Sequence, residues 1–252
     1  MIEILILSFI QGVSEFLPVS SSSHLIIISK FFDFEKQSLS IDVSLHIGSF
    51  IAVVTYFYQD IFNFIKNKML FLKIILSSIP VMFVGYILIK SNFIEQLRSI
   101  EVIGWTTFTF AIILYVSDKL KSNKNIKKNF SYKDAIIIGI FQILSLIPGV
   151  SRAGITITAG RFLRYNRYDA SKISFLLSIP TLGVVSIYGL SEITSYDDLS
   201  FSIININSIV LSFIFSLITI KFFLKYIQKS SMAIFVLYRL ILGGILILYT
   251  YL

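Results

Sequence analysis

The sequence predicts an all-α integral membrane protein with six transmembrane helices and two re-entrant helix-loop-helix hairpins, arranged as an inverted-topology repeat. Of its 252 residues, 56% are hydrophobic and only 14% are charged, whereas soluble domains are about a quarter charged. The mean hydropathy is +0.84. The apolar segments are long and lack the alternation of strands, so they indicate helices and not an outer-membrane barrel.

The first element is too short to cross a bilayer. Residues 2–17 form an apolar stretch that ends at Pro18, and residues 24–32 form a shorter one, whereas a spanning helix needs about 20 residues. Together they predict a hairpin that enters the membrane and returns on the same side, with its broken backbone lining a cavity. Residues 134–163, interrupted by Pro148 and Gly149, predict a second hairpin of this kind.

Six further apolar segments are just long enough to span. They are predicted at residues 42–58, 72–90, 100–118, 172–190, 206–224 and 233–251.

One membrane domain, residues 1–252, is therefore predicted. Each half, 1–118 and 134–252, has one hairpin and three spans, and a basic cytoplasmic linker, 119–133, joins them. Because each half has three spans, an odd number, the second half is predicted to be inverted relative to the first. In proteins with such inverted repeats, the broken helices lie at the binding site.

The basic residues predict the orientation. Sixteen of the 22 Lys and Arg residues fall on one side of the predicted spans and four on the other, which places the first side in the cytoplasm. The remaining two, Arg152 and Arg239, lie within membrane segments. The formal net charge of +8 is thus attributed to orientation and not to nucleic-acid binding. The absence of cysteine excludes disulfides and cysteine nucleophiles.

The first hairpin break, QGVSEFLPVSSSSHL, places several polar groups in an apolar region. Gln11 and Glu15 are four residues apart and share one helix face, and a carboxylate at this depth needs a partner. The serines 20–23 are expected to precede a short helix and to offer hydroxyl and N–H groups to an anion. His24 follows at a spacing that suits a base or acid beside a hydroxyl nucleophile. The alternative is a polar plug between helices.

The second break, IPGVSRAGIT, contains Arg152 in a glycine-bordered turn that opens a helix. The guanidinium and the backbone N–H groups are suited to phosphate, although an ion pair with Glu15 fits the same arrangement. Arg239 is interpreted as a side chain that snorkels to the cytoplasmic interface. Asp42 and His46 are four residues apart near the outer end of a span, where they either line the cavity or Asp42 caps a loop.

These motifs resemble the undecaprenyl-diphosphatases, also called bacitracin-resistance proteins, over essentially the whole chain. QGVSEFLPVSSSSH and PGVSRAGIT match the two family signatures, and LHIGSFIAVV (45–54) and SFLLSIP (174–180) extend the match. The resemblance implies a hydrolase that converts undecaprenyl diphosphate to the monophosphate at the outer face of the bacterial cytoplasmic membrane. This reaction recycles the lipid carrier of peptidoglycan synthesis and confers resistance to bacitracin.

The resemblance also implies roles for individual residues. Glu15 and Gln11 would bind a divalent cation, Mg²⁺ or Ca²⁺, Ser21 would be the nucleophile, and His24 would transfer protons. Arg152 would hold the diphosphate. Residues implied in substrate binding are Ser20, Ser22, Gly149, Ser151 and Thr156.

Three positions depart from the family pattern. Gln11 replaces a glutamate found in some members, which removes an anionic ligand, and Ser23 and Ala153 are expected to carry no chemistry.

A transporter or flippase of polyprenyl phosphate lipids is the main alternative function, because inverted repeats are typical of transporters. A non-catalytic scaffold is a third. The choice between Ser20 and Ser21, the metal, the prenyl chain length and a homo-oligomeric state stay open.

Overall fold

The computed structural model describes residues 2–32, 38–66, 68–91, 96–194 and 203–252, and these residues form twelve α-helices and no strand. The helices are α1 Ile2–Ser14, α2 Ser21–Phe31, α3 Leu39–Tyr56, α4 Tyr58–Lys66, α5 Lys68–Lys90, α6 Ile100–Asp118, α7 Ile126–Asn129, α8 Tyr132–Ile143, α9 Arg152–Phe162, α10 Arg167–Thr194, α11 Ile203–Ile227 and α12 Ala233–Tyr251.

Six of these helices, α3, α5, α6, α10, α11 and α12, are long and apolar enough to cross a membrane. The predicted all-α membrane fold with six spans is therefore confirmed. The largest difference is at α10, which begins at Arg167 and not near residue 172. Asn166 caps it, because its side chain accepts a hydrogen bond from the Asp169 N–H at 2.8 Å. Hydropathy alone cannot detect a polar first turn.

Two interruptions of the helices fall where the sequence predicts the hairpin breaks. The chain leaves α1 at Ser14 and begins α2 at Ser21, and a 3₁₀ turn, Leu144–Leu146, follows α8 before α9 begins at Arg152. α2 thus begins three residues earlier than the predicted apolar piece, so that three of the four serines form its first turn. The re-entrant course of both pairs stays a prediction.

The packing partners of the two short pairs lie in opposite halves of the chain. α1 packs on α11 at Gly12, where an added Cβ would lie 2.5 Å from that of Phe215. α8 packs on α5 at Gly139, where an added Cβ would lie 2.6 Å from the Ser77 carbonyl oxygen. Glycine is therefore needed at both crossings. This reciprocal arrangement is compatible with an inverted repeat, but the repeat and the division into halves remain predictions.

The first break is held in the protein interior by aromatic packing. The Phe16 ring is fully buried and meets the Phe175 ring of α10 edge-on, with 5.3 Å between centroids. Phe175 in turn contacts Phe57 and Phe223. Lipid-facing surfaces elsewhere expose large apolar side chains such as Ile187. The break is thus anchored in the core, whereas the spans present apolar residues outward.

The linker 119–133 is tied to the turn between α9 and α10. Lys124 pairs with Asp134 at 3.2 Å, and the Tyr165 hydroxyl donates to the same carboxylate at 2.6 Å. Burial and the Asp134 carboxylate raise the pKa of Tyr165 above its usual value. The phenol therefore stays protonated at physiological pH and keeps its hydrogen bond.

Candidate functional site

At both breaks, the residue before the second helix has the same unusual backbone conformation. Ser20 and Ser151 immediately precede α2 and α9, with φ angles of 77° and 72°. Positive φ is unfavourable for a residue with a side chain, so the surrounding structure must stabilise both. This conformation turns the chain sharply into each short helix. As a result, a short helix begins directly at each break, and its first N–H groups lie there.

An ion pair connects the two breaks. Arg152 Nη2 lies 2.7 Å from Glu15 Oε1, and its Nη1 donates to the Ser174 carbonyl oxygen at 3.1 Å. The side chains of Arg152 and Glu15 are 13% and 8% exposed. The ion-pair interpretation of Arg152 is thereby confirmed. The Phe16 ring lies beneath the guanidinium, 6.0 Å from its centroid to Cζ.

The other oxygen of Glu15 receives two donors from the first break. Ser21 Oγ donates to Oε2 at 2.7 Å, and Gln11 Nε2 donates to the same atom at 3.2 Å. α1 ends one residue before Glu15, but Gln11 and Glu15 still converge as their spacing predicted. Ser21, Glu15 and Arg152 therefore form one continuous hydrogen-bonded chain across both breaks, and Ser21 remains partly exposed.

The other serines of the first break differ in accessibility. Ser20 is buried, and its hydroxyl lies 2.9 Å from that of Ser23, which is fully buried. Ser22 is exposed, and among the described residues its hydroxyl contacts that of Ser20 at 3.5 Å. Of the two candidate nucleophiles, Ser21 has both the accessibility and the carboxylate acceptor. The N–H groups of residues 21–23 have no partner among the described residues.

His24 has different neighbours from those that its spacing predicted. Its Nδ1 lies 2.6 Å from the Ser20 carbonyl oxygen, and its Nε2 lies 2.6 Å from the Tyr238 hydroxyl oxygen. The two rings are stacked, with 5.8 Å between centroids and 11° between planes. His24 thus contacts the Ser20 backbone and α12, and it makes no hydrogen bond with the Ser21 hydroxyl.

In the second break, the predicted binding residues are engaged by the protein itself. The Ser151 hydroxyl accepts from the Gly154 N–H at 3.1 Å and so caps α9. The Thr156 hydroxyl is fully buried, 2.7 Å from the Ser174 hydroxyl and 2.8 Å from the Arg152 carbonyl oxygen. Both residues therefore support the helix start that presents Arg152.

Gly149 is required by its backbone and by its neighbours. Its φ is 95°, and an added Cβ would lie 1.9 Å from Thr106 Oγ1. The Thr106 hydroxyl in turn lies 2.6 Å from the Pro148 carbonyl oxygen. α6 therefore packs directly against the turn, and only glycine fits there.

Arg239 is the main residue whose role the sequence interpretation missed. The prediction that it snorkels is wrong, because its side chain is 0% exposed. It donates to the carbonyl oxygens of Pro18 at 3.1 Å, Gly149 at 2.9 Å and Val150 at 3.1 Å. It thus bonds to both breaks at once. A lone arginine within an apolar span was the available signal for such a role.

Asp42 and His46 lie one helical turn apart in α3, where His46 Nδ1 donates to the Asp42 carbonyl oxygen at 2.8 Å. Among the residues that the structure describes, no group of three or more His, Cys, Asp or Glu side chains is suited to a metal ion. The Gln11 amide oxygen is buried in the site and has no hydrogen-bond partner among the residues that the structure describes.

Comparison with known proteins places these motifs in a wider context. The family model described as Bacitracin resistance protein BacA matches residues 4–245. The undecaprenyl-diphosphatase of Pelagibacter ubique (strain HTCC1062) is 48% identical over 251 residues, which cover 99% of this chain and 98% of that protein. The undecaprenyl-diphosphatase of Hahella chejuensis (strain KCTC 2396) is 38% identical over 263 residues, covering 99% of this chain and 98% of that protein.

Proposed function

Because the chain belongs to the bacitracin resistance protein BacA family, we propose that it hydrolyses undecaprenyl diphosphate to undecaprenyl phosphate and inorganic phosphate. The reaction takes place at the outer face of the bacterial cytoplasmic membrane. It returns the lipid carrier to peptidoglycan synthesis, and it confers resistance to bacitracin. The observation that carries this proposal is the hydrogen-bonded chain of Ser21, Glu15 and Arg152 across the two helix breaks.

Arg152 and the two helix N-termini bind the diphosphate. Arg152 exchanges Glu15 for phosphate oxygens as the head group enters, because a guanidinium binds phosphate in the same forked geometry as a carboxylate. The N–H groups of residues 21–23 add uncharged donors at the start of α2. Phosphoryl transfer depends mostly on such positioning and charge neutralisation.

Ser21 is the nucleophile. Its oxygen forms a bond to the terminal phosphorus while the bridging P–O bond breaks, and undecaprenyl phosphate leaves with the bonding electrons. The Ser21 proton passes to Glu15, the carboxylate to which the hydroxyl already donates. Water then attacks the phosphoserine, which releases inorganic phosphate and returns the proton to Ser21. His24 takes part in these proton transfers from its place beside Ser20.

The residues present fit a divalent cation that takes most of its ligands from substrate and water. Glu15 supplies one carboxylate, and the buried Gln11 amide oxygen lacks a hydrogen-bond partner. Mg²⁺ is commonly held by one or two carboxylates together with substrate phosphates. Bound there, Mg²⁺ or Ca²⁺ would neutralise negative charge on the diphosphate.

The first experiment measures phosphate release from undecaprenyl diphosphate by the detergent-purified protein, with Mg²⁺, Ca²⁺ or a chelator. Arg152→Ala and Glu15→Gln are expected to lose on the order of 10³-fold in rate. Arg164→Ala and Glu101→Gln are the matched controls, since both residues are exposed and contact residues outside the breaks, the Lys121 carbonyl and the Tyr251 hydroxyl. Both are expected to keep wild-type rates.

No phosphate release by a folded wild-type protein would refute the proposal, as would wild-type rates in Arg152→Ala. In the first case, movement of intact polyprenyl phosphate across a vesicle bilayer is the assay that tests the transporter alternative. If phosphate release is equally fast with chelator and with metal, the cation is not part of the reaction. The roles of Ser21 and Arg152 are then tested by their variants alone.

A further inference from the structure

The hydrogen bonds of His24 determine which of its nitrogens carries the proton. A carbonyl oxygen can only accept, so the 2.6 Å contact with Ser20 requires a hydrogen on Nδ1. In the neutral ring, Nε2 is then the basic atom, and the Tyr238 hydroxyl at 2.6 Å donates to it. The basic nitrogen therefore faces α12 and not the Ser21 hydroxyl.

We propose that Tyr238 is a positioning residue that holds the basic nitrogen of His24 and carries the protons that this nitrogen exchanges. The kinetic effect expected of this residue rests on the proposed function, whereas the contact between Tyr238 and His24 does not. Tyr238 is 44% exposed, so this residue lies at the edge of the packed core. Its ring stacks on the imidazole and restricts its rotation, whereas Ser20 fixes the opposite edge.

Proton exchange through Tyr238 is balanced and needs no further reactant. A hydronium ion gives a proton to the phenol oxygen and becomes water, while the phenol's own proton passes to Nε2, which gives an imidazolium and a neutral tyrosine. The reverse transfer restores the starting state. In the imidazolium, both nitrogens donate, to Ser20 and to the phenol oxygen, so the pair remains hydrogen bonded in both charge states.

The kinetic test compares Tyr238→Phe with Tyr249→Phe. Both tyrosines lie on α12 and both rings contact α2, but Tyr249 meets Phe31 through its ring alone, with 5.3 Å between centroids. Tyr238→Phe is expected to lower kcat about tenfold and leave KM unchanged, since acid–base catalysis as a whole contributes about 10²–10⁴-fold. Tyr249→Phe is expected to keep both values.

A double-mutant cycle separates positioning from packing. In a His24→Gln background, Tyr238→Phe is expected to cause no further loss of kcat, because both changes interrupt the same route. Additive losses would overturn the inference, since Tyr238 would then act independently of His24. Wild-type kcat in Tyr238→Phe alone would also overturn it.

A second readout is independent of activity. The chain has two histidines, His24 and His46, so ¹⁵N-labelled histidine gives few signals, and His46→Gln assigns them. Tyr238→Phe is expected to shift the His24 Nε2 resonance while the hydrogen stays on Nδ1. An unchanged Nε2 resonance refutes the contact itself. Absence of phosphate release by wild-type protein, with the NMR shift present, would refute the proposed function and leave the contact intact.

Discussion

Replacement of Arg239 by methionine tests the most unexpected contact of the site. Methionine keeps most of the side-chain volume but removes the donors to Pro18, Gly149 and Val150, all within 3.1 Å. Each buried carbonyl left without a donor costs about 1–3 kcal/mol. The variant also avoids burying a charge, which costs several kcal/mol. Three such carbonyls together cost about 3–9 kcal/mol, so with the buried charge removed we expect a net destabilisation of about 3 kcal/mol, at the low end of this sum.

The expected loss is measurable in two ways. A destabilisation of about 3 kcal/mol lowers the Tm by about 6–12 °C for a chain of this size, which the fluorescence of the single tryptophan, Trp105, can follow. Arg239 bonds to both breaks, so its loss is expected to displace Ser21 relative to Arg152. A displacement of about 1 Å lowers kcat by about 10²-fold.

The control for this variant is Ser208→Ala. Ser208 is fully buried in α11, and within the described part of the chain its hydroxyl donates to the Ile204 carbonyl of the same helix. Ser208→Ala is expected to change the Tm by less than about 3 °C, equivalent to about 1 kcal/mol. A Tm and a kcat of Arg239→Met that equal those of Ser208→Ala would refute the reasoning, because the carbonyl contacts would then contribute nothing.

Three further predictions concern the nucleophile, the turn and the orientation. Ser21→Ala is expected to lower the rate of phosphate release on the order of 10³-fold, whereas Ser29→Ala, a control in the same helix α2, is expected to keep the wild-type rate. Full activity of Ser21→Ala would assign the attack to another hydroxyl or to water. Gly149→Ala is expected to unfold at lower temperature, because its φ of 95° is strained for alanine, and an unchanged Tm would contradict this. The chain has no cysteine, so single cysteines can report the orientation. A membrane-impermeant maleimide is expected to label Tyr251→Cys in intact cells, but to label Lys121→Cys only after the cells are permeabilised. The opposite result would show that the predicted topology is inverted.

The spans could be predicted because lipid imposes a length and a composition on any helix that crosses it. The breaks could be predicted for a related reason, since Pro18, Pro148 and Gly149 interrupt apolar segments where a continuous helix is otherwise favoured. The pairing of Glu15 with Arg152 was one of two interpretations that the sequence allowed, because two opposite charges in an apolar environment stabilise each other.

The supporting contacts could not be predicted, because they join positions far apart in the chain. Arg239 and Tyr238 reach the breaks only after α12 packs beside α6, and no local pattern encodes that packing. The spacing between Ser21 and His24 predicted a shared helix face, but it gave no information on rotamers. In the structure the imidazole turns to a backbone carbonyl and to Tyr238.

The contacts of Arg239 also affect the order in which the site can be made. A ribosome delivers the N-terminal segments first, so both breaks are synthesised before Arg239. Until then, the carbonyl groups of Pro18, Gly149 and Val150 lack the donor that they have in the finished protein. Assembly of the site is therefore expected to be one of the last events of biogenesis, which would keep a half-made chain from binding lipid diphosphates prematurely.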